Sequence, residues 1–255
     1  MENSPVRRPH FFFTTAPMPC PYMEGRMERK IVTELAGPDA GALHDTLSRS
    51  GFRRSHSIAY APACPSCTAC TPVRVVVRDF ARNRSFRRTW NSNADLYGRM
   101  VPPRATAEQY RLFSAYQACR HSGSDMALMS FYDYRAMVED SPIETHLVEF
   151  RDHQGKLTAV CLMDKMDDGV SGVYSFFDTS RSRRGLGTFI ILWMIETART
   201  LELPYVYLGY WIAESPKMSY KKRFTPLEVF TGNGWHLLDE KTGAPRPPVL
   251  QPFSP

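Results

Sequence analysis

The sequence predicts an α+β protein with a larger C-terminal unit and a smaller N-terminal unit that carries a cluster of cysteines. Within residues 145–178, apolar residues recur at every second position and turn residues interrupt the pattern, which is typical of short antiparallel strands. Residues 187–201 carry apolar residues at helical spacing. In the N-terminal unit, Cys64, Cys67 and Cys70 lie in a loop between two predicted strands.

The composition excludes several classes of protein. With 255 residues, 43% of them hydrophobic, the chain can bury a sizeable core and is not disordered. No stretch approaches the roughly 18 consecutive apolar residues of a membrane span, and prolines interrupt any signal-peptide core after Arg7 and Arg8. We therefore expect a soluble, cytoplasmic protein with no membrane partner. The net charge of +6, with its arginines clustered, permits a polyanionic partner.

Residues 1–102 are predicted to form the N-terminal, cysteine-bearing domain with a basic segment near its end. Val101-Pro102-Pro103 marks the boundary, because prolines punctuate the chain there. The predicted elements are an extended proline-rich arm (1–23), a strand (28–35), a helix that ends at Gly51, and strands at 57–60 and 73–77.

The cysteines are the strongest chemical signal in this domain. Cys64, Cys67 and Cys70 supply three thiolates within a short loop, and Cys20 of the arm is the candidate for a fourth. This density fits a four-thiolate zinc site or a four-iron iron–sulfur cluster. Buried thiols without a metal are the alternative. Closely packed cysteines of this kind also indicate a reducing compartment.

Residues 82–90 interleave arginines with aromatic residues. This mixture predicts nucleic-acid binding, in which Arg87 and Arg88 contact phosphates while Phe86 or Trp90 stacks on a base. A surface helix with solvated arginines is the alternative.

Residues 103–238 are predicted to form the larger domain, and residues 239–255 a proline-rich tail. A strand at 205–211 follows the helix at 187–201, and a right-handed connection places it parallel to the strand at 170–178. The other predicted elements are helices at 107–121 and 130–139, strands at 145–151 and 157–164, a helical turn at 216–224, and a hairpin-like piece at 226–238.

A basic glycine loop joins the strand at 170–178 to the next helix. Gly185 and Gly187 let the backbone approach a ligand, and the free N–H groups of the helix start attract a phosphate or a developing oxyanion beside Arg184. Lys217 and Lys221 add a second positive group beside the last long strand. A tight turn with solvated arginines is the alternative.

With these motifs in place, the chain resembles the arginyl-tRNA–protein transferase family, and most closely its bacterial leucyl-transferring branch. The resemblance extends from about residue 10 to residue 238. The motifs that carry it are Cys20-Pro-Tyr22, Gly51-Phe-Arg-Arg54, the cysteine run from Tyr60 to Arg74, Arg120-His121, Asp168-Gly-x-Ser171, Val173-Tyr-Ser-Phe-Phe177, Leu186-Gly-Thr188, Leu203-Pro-Tyr-x-Tyr-Leu-Gly-Tyr-Trp211 and Lys217-Met-x-Tyr-Lys221.

The resemblance implies a GNAT-like catalytic domain behind the cysteine-bearing domain. It also implies an enzyme that moves leucine from leucyl-tRNA to proteins beginning with Asp or Glu, marking them for degradation by the N-degron pathway. The predicted order of three antiparallel strands, glycine loop, helix and parallel strand agrees with a GNAT fold. The alternatives are arginyl transfer by the same fold, a CoA-dependent GNAT acetyltransferase, and a non-catalytic metal- and RNA-binding module.

Aminolysis of an ester by an α-amine with a pKa of roughly 7.7 to 8.0 demands no strong base and no cofactor. Asp178 and Tyr174 are the candidate catalytic residues, with Asp178 as the acceptor of an amine proton. Candidates for acceptor binding are Arg74, Arg120 and His121, because an arginine pairs with a carboxylate through two parallel hydrogen bonds. Arg53 and Arg54 are the further candidates for acceptor binding if neither Arg74 nor Arg120 has this role. The number of subunits is not predicted.

Overall fold

The protein is described by a computed structural model that covers residues 9–239 and 241–246. It is a mixed α/β structure organised around one large sheet. The α-helices are α1 (Ala40–Arg49), α2 (Arg84–Asn91), α3 (Ala107–Arg120), α4 (Phe131–Glu139) and α5 (Leu186–Thr200). The strands are β1 (Phe13–Thr14), β2 (Met18–Pro19), β3 (Met27–Glu28), β4 (Lys30–Glu34), β5 (Arg53–Ser55), β6 (Ile58–Pro62), β7 (Thr71–Val76), β8 (Tyr97–Val101), β9 (Thr145–Arg151), β10 (Leu157–Met166), β11 (Gly169–Phe177), β12 (Tyr205–Trp211), β13 (Leu227–Thr231) and β14 (Gly234–Leu237).

The large sheet has eight strands in the order β14-β13-β7-β12-β11-β10-β9-β8. β9, β10 and β11 are antiparallel neighbours, and β12 pairs parallel to β11 after the connection through α5. The predicted succession of three antiparallel strands, helix and parallel strand is therefore confirmed. The predicted helical turn at 216–224 is shorter than expected, since a 3₁₀ segment covers Ser219–Arg223.

The large sheet takes strands from both sides of the boundary predicted at residue 102. β7 lies between β13 and β12, and β8 pairs with β9. The sequence gives little sign of β8, because this edge strand is mostly exposed and lacks an alternating apolar pattern. β1, β4, β6 and β5 form a separate four-stranded sheet against which α1 packs, so the arm lies on a sheet as an extended segment.

The core lies on both faces of the large sheet. On one face, α5 packs with Phe86 of α2 against the sheet, and on the other face α3 and α4 pack around Phe113 and Tyr134. Thr106 and Ser130 cap α3 and α4, as their side chains accept hydrogen bonds from the first helical turns. These two layers fix the ends of α3 and α5 relative to β11 and β12.

None of the helices in the described part of the chain is long and apolar enough to cross a bilayer. Residues 240 and 247–255 of the predicted tail, and residues 1–8 of the predicted arm, lie outside the described residues.

Candidate active site

β11 and β12 diverge in the middle of the large sheet. Their parallel pairing runs from Gly169 opposite Tyr205 to Ser171 opposite Tyr207, and both strands continue past this point with no further pair between them in the described structure. The facing edges of the two strands therefore do not bond to each other beyond this point, and their backbone groups are available to side chains or to a ligand, as at the edge of a sheet. We call this opening, between Gly172–Phe177 and Leu208–Trp211, the β11–β12 split.

The ends of α3 and α5 meet at the far end of the split. The ring of Tyr116 lies 5.0 Å from that of Phe177 and 5.7 Å from that of His121. Gly187 in the first turn of α5 also lies against Phe177, since a Cβ added there would stand 3.3 Å from that ring. The first N–H groups of α5, which lack partners within the helix, thus begin next to the split.

Arg53 occupies the opposite end of the split, where the strands diverge. Its Nη2 donates to the Gly172 carbonyl at 2.6 Å, and its Nη1 donates to Ser171 Oγ at 3.3 Å. A Cβ added to Gly209 would stand 2.8 Å from Arg53 Cζ, so the guanidinium packs directly on the β12 backbone. The side chain is half-buried, and no carboxylate of the described residues forms an ion pair with it.

Arg54, the next residue of β5, is neutralised inside the protein. Its Nε and Nη2 donate to the two carboxylate oxygens of Asp164 at 2.8 and 2.7 Å. Thr145 Oγ1 donates to the same carboxylate at 2.7 Å. Arg54 is 4% exposed and Asp164 is fully buried, so this ion pair holds β5 against β10 and leaves no group free for a substrate.

Arg74 of β7 is also neutralised. Its Nε donates to Glu228 at 2.7 Å and its Nη1 donates to the Tyr207 hydroxyl at 3.0 Å. The guanidinium carbon lies 3.4 Å from the ring centroid of Tyr205 and 4.3 Å from that of Trp235. Glu228 neutralises the charge, and the two rings cover the faces of the guanidinium group. This geometry argues against the predicted acceptor role of Arg74.

Arg120 and His121 end α3 close to the split. Arg120 is exposed and forms no ion pair within the described ranges. Partial burial lowers the pKa of His121, and the nearby charges of Lys217 and Arg120 lower it further. These effects favour the neutral ring of His121 at the end of the split, while the Arg120 side chain is exposed to water.

Asp178 serves as a turn residue at the end of β11. Partial burial raises its pKa, but several neighbours lower it below the usual value. The Ser180 hydroxyl and backbone N–H donate to the carboxylate at 2.5 and 3.0 Å, and the positive charges of Lys156 and Arg181 lie nearby. A carboxylate stabilised in this way is a weak base, which argues against the predicted role as proton acceptor. The Tyr174 hydroxyl accepts from the Gln117 amide at 2.8 Å, and burial raises its pKa to about 12, so this phenol stays protonated.

Lys221 is buried, which argues against the predicted contact with tRNA. It is 6% exposed, and its Nζ donates to the Tyr210 carbonyl at 2.6 Å on the β12 side of the split. Burial lowers its pKa to about 7, and the charge of Arg53 adds to this effect. Sequence reasoning missed its burial because a lysine within a run of basic residues is usually solvated. Lys217 is exposed, as a phosphate contact requires.

α2 packs beside the glycine loop, so two segments predicted separately to bind tRNA are neighbours. Gly185, at φ +63°, lies against Thr89 of α2, and the Asn93 side chain donates to the Arg184 carbonyl at 2.8 Å. Arg184 itself pairs with Asp95, so it fastens the loop instead of facing solvent. Exposed arginines without an ion pair in the described residues form what we call the α2–loop surface: Arg84, Arg87, Arg88 and Arg183.

The aromatic residues of α2 are part of the core. Phe86 is 1% exposed and stacks on Phe224 at 4.8 Å between ring centroids. Trp90 packs on Phe189 and is covered by Arg82, whose guanidinium carbon lies 3.7 Å from the ring centroid. The expectation that Phe86 stacks on a base is therefore wrong, because burial closes that ring off from a ligand.

Cys20, Cys64, Cys67 and Cys70 line one cavity of about 330 Å³ between the arm and the cysteine loop. They do not form the predicted metal centre, since the described residues contain no group of three or more ligating side chains arranged to hold an ion. Arg26 Nη1 donates to Cys67 Sγ at 3.3 Å instead. Burial raises the pKa of Cys70 to about 11, with the neighbouring thiols adding to the shift.

Comparison with known proteins assigns the chain to a family. Residues 18–88 match the N-terminal part of arginine-tRNA-protein transferases, and residues 108–231 match their C-terminal part. The chain belongs to the arginine-tRNA-protein transferase family. The resemblance inferred from the sequence motifs is thereby confirmed.

Individual members of the family are similar over nearly the whole chain. The aspartate/glutamate leucyltransferase of Paramagnetospirillum magneticum is 62% identical over 244 residues, or 96% of this chain and 100% of that protein. The protein of the same name from Rhodospirillum rubrum is 61% identical over 242 residues, or 94% and 98% of the two chains. Among solved structures, L-PGS from Bacillus licheniformis superimposes with a TM-score of 0.45 and 11% identity over 70% of this chain and 52% of its own, a likeness too distant to carry an argument.

Proposed function

We propose that this protein is an aminoacyltransferase that moves leucine from leucyl-tRNA to the α-amine of proteins beginning with Asp or Glu. The observation that carries the proposal is the β11–β12 split, which opens beside the first turn of α5 and is flanked by an exposed basic surface. The names of the relatives at 62% and 61% identity support the choice of leucine and of acidic acceptors. We assign the large sheet with α3 to α5 to a GNAT-like catalytic domain, on the order of its strands.

The reaction forms one bond and breaks another. The acceptor nitrogen attacks the ester carbonyl carbon of leucyl-tRNA, a peptide C–N bond forms, and the ester C–O bond to the terminal ribose breaks. The ribose oxygen receives a proton that the amine gives up. No cofactor is needed, because the ester is already activated and an α-amine with a pKa of roughly 7.7 to 8.0 is partly neutral at pH 7.

The donor side of the site is the α2–loop surface with the first turn of α5. Arg87 and Arg88 bind phosphates of the tRNA backbone, and Lys217 adds a contact across the split. The ester carbonyl then lies within the split beside the acceptor amine, with its oxygen toward the first turn of α5, whose N–H groups stabilise the oxyanion of the tetrahedral intermediate. Positioning of the two substrates supplies most of the remaining rate enhancement.

Lys221 replaces Asp178 as the group that we propose takes up the amine proton. It lies at Tyr210 on the β12 side of the split, and its pKa of about 7 matches the pH at which a general base works best. The low pKa of Asp178 leaves that carboxylate with little affinity for a proton.

We place the enzyme in the cytoplasm, where its leucyl-tRNA substrate is made, and assign its products to the N-degron pathway. The division into a cysteine-bearing domain (1–102), a catalytic domain (103–238) and a tail (239–255) remains a prediction from the sequence. The catalytic unit in this proposal also uses β7 and β8 from the first of these segments.

A transfer assay tests the proposal. The protein is incubated with tRNA charged with labelled leucine or arginine, and with peptides that begin with Asp, Glu or Ala. We expect labelled leucine on the Asp and Glu peptides alone. Transfer of arginine, or acetylation of the peptides from acetyl-CoA without any dependence on tRNA, would contradict the proposal and identify the competing reaction.

A further inference from the structure

We propose that Arg53 is the residue that recognises the acceptor, by binding the side-chain carboxylate of its N-terminal Asp or Glu where β11 and β12 diverge. This inference rests on the proposed function, because it assigns one substrate group to one side chain of the same site.

Arg53 differs from the neighbouring cations in lacking an acidic partner. Arg54 is neutralised by Asp164 and Arg74 by Glu228, with N–O distances of 2.7 Å in both pairs. Lys221 lies against a carbonyl, and burial lowers its pKa to about 7, so it can shed its charge. An arginine cannot do so at any pH at which the protein is folded. Among the described residues around the split, Arg53 is thus the half-buried cation with which no carboxylate forms an ion pair.

The guanidinium of Arg53 is held in place but not saturated. An arginine has five N–H donors, and the described structure uses two of those of Arg53, on Ser171 and Gly172. Contact with the Gly209 backbone fixes the plane of the group. The remaining donors suit a carboxylate, which accepts two parallel hydrogen bonds from a guanidinium. A carboxamide offers one oxygen and no charge, so Asn and Gln would bind more weakly.

A carboxylate at Arg53 would bring the acceptor amine into the split. Three bonds of about 1.5 Å each separate the α-nitrogen of an aspartate from its carboxyl carbon. The amine would therefore lie beside the first unpaired residues of β11 and β12. From Gly172 to Phe177, β11 extends for roughly 16 Å at about 3.3 Å per residue. The ester carbonyl carbon that the amine attacks would lie next to the amine inside the split, which leaves the remaining length toward α5 for the leucyl side chain and the terminal nucleoside.

The experiment compares Arg53→Gln, Arg53→Lys and a control, Arg135→Gln. Arg135 is an exposed arginine of α4, on the layer opposite α2 and α5, and it forms no ion pair in the part of the chain described. For each protein, kcat/KM is measured with saturating leucyl-tRNA and with peptides that begin with Asp, Glu, Asn or Gln. The Kd of leucyl-tRNA, the Kd of the Asp peptide in the absence of tRNA, and the Tm are measured alongside.

We expect Arg53→Gln to lower kcat/KM for the Asp and Glu peptides by about 10- to 100-fold, the value of one or two charge-assisted hydrogen bonds. The values for Asn and Gln peptides and the Kd of leucyl-tRNA should stay within about threefold of wild type. Arg53→Lys keeps the charge without the two parallel donors and should fall between wild type and Arg53→Gln. Arg135→Gln should match wild type throughout.

The inference is overturned if Arg53→Gln keeps the wild-type preference for Asp over Asn, and the proposed function stays intact in that case. If only Arg53→Lys folds, the same preference is measured in that variant. The proposed function fails separately if the wild-type protein transfers no leucine. In that case, binding of the Asp peptide to wild type but not to the Arg53 variants would still support the inference, and equal binding to all of them would overturn it.

Discussion

Asp164 holds Arg54 in a buried ion pair with two parallel hydrogen bonds, at 2.8 and 2.7 Å. The two side chains are 0% and 1% exposed and lie on different sheets, since Asp164 belongs to β10 and Arg54 to β5. Because β5 also carries Arg53, this pair positions the residue that we propose recognises the acceptor.

Replacing Asp164 by Asn should lower the free energy of unfolding by about 3–5 kcal/mol, since it leaves the Arg54 charge buried without a partner. Urea unfolding measures the change. Asp79→Asn is the matched control, because it breaks the exposed pair with Arg78, which should contribute no more than about 1 kcal/mol. A loss below about 1 kcal/mol in Asp164→Asn would show that the buried charge is compensated in another way.

Replacing Arg74 by Gln should destabilise the protein while preserving its acceptor preference. The substitution leaves the Glu228 carboxylate without its guanidinium, at a cost of about 2–3 kcal/mol. The ratio of kcat/KM for Asp and Asn peptides should nevertheless equal that of wild type. A collapsed ratio in folded Arg74→Gln would return the acceptor role to this residue.

Replacing Arg87 and Arg88 together by Ala should weaken tRNA binding and flatten its dependence on salt. Two lost phosphate contacts reduce the slope of log K against log salt by about 1.5. Titrations of leucyl-tRNA at several salt concentrations measure the slope, with Arg135→Ala as the control on the opposite layer. If the double variant keeps the wild-type slope, the tRNA backbone lies elsewhere.

Replacing Lys221 by Met should remove a pH dependence of stability. Burial lowers the pKa of this lysine from 10.5 to about 7, so between these values the unfolded chain binds a proton that the folded chain does not. As the pH falls from about 10 to 7, wild type should therefore lose stability relative to Lys221→Met, and below pH 7 the difference should be constant. Urea unfolding at pH 7, 8.5 and 10 measures it, and parallel profiles would contradict the low pKa.

Replacing Gly209 by Ala should impair acceptor use specifically. The new Cβ would stand 2.8 Å from Arg53 Cζ and push the guanidinium away from the split. Gly155→Ala is the control, because Gly155 has a similar φ of +78° but nothing within 4 Å of an added Cβ. Both variants should lose about 1–2 kcal/mol of stability from backbone strain, but kcat/KM for the Asp peptide should fall in Gly209→Ala alone. Equal activity in the two would show that Arg53 can move without consequence.

The sequence by itself determined the local elements that surround the site. α3, α5 and the strands β9 to β12 follow from apolar periodicity, capping residues and turn residues, all of which act between neighbours in the chain. Ordered motifs were also enough to identify the family. Periodicity failed at β8, because an exposed edge strand has no buried face to impose a pattern.

Only the tertiary structure decided what each cation does. Arg53, Arg54 and Arg74 are the same residue type in similar short strands, yet two of them are neutralised by carboxylates 110 and 154 positions away in the chain. Lys221 is buried by its contact with a carbonyl of β12, and nothing in its basic surroundings predicts this. The charge available to a substrate depends on which distant groups the fold brings within hydrogen-bonding distance, and that information is absent from local sequence patterns.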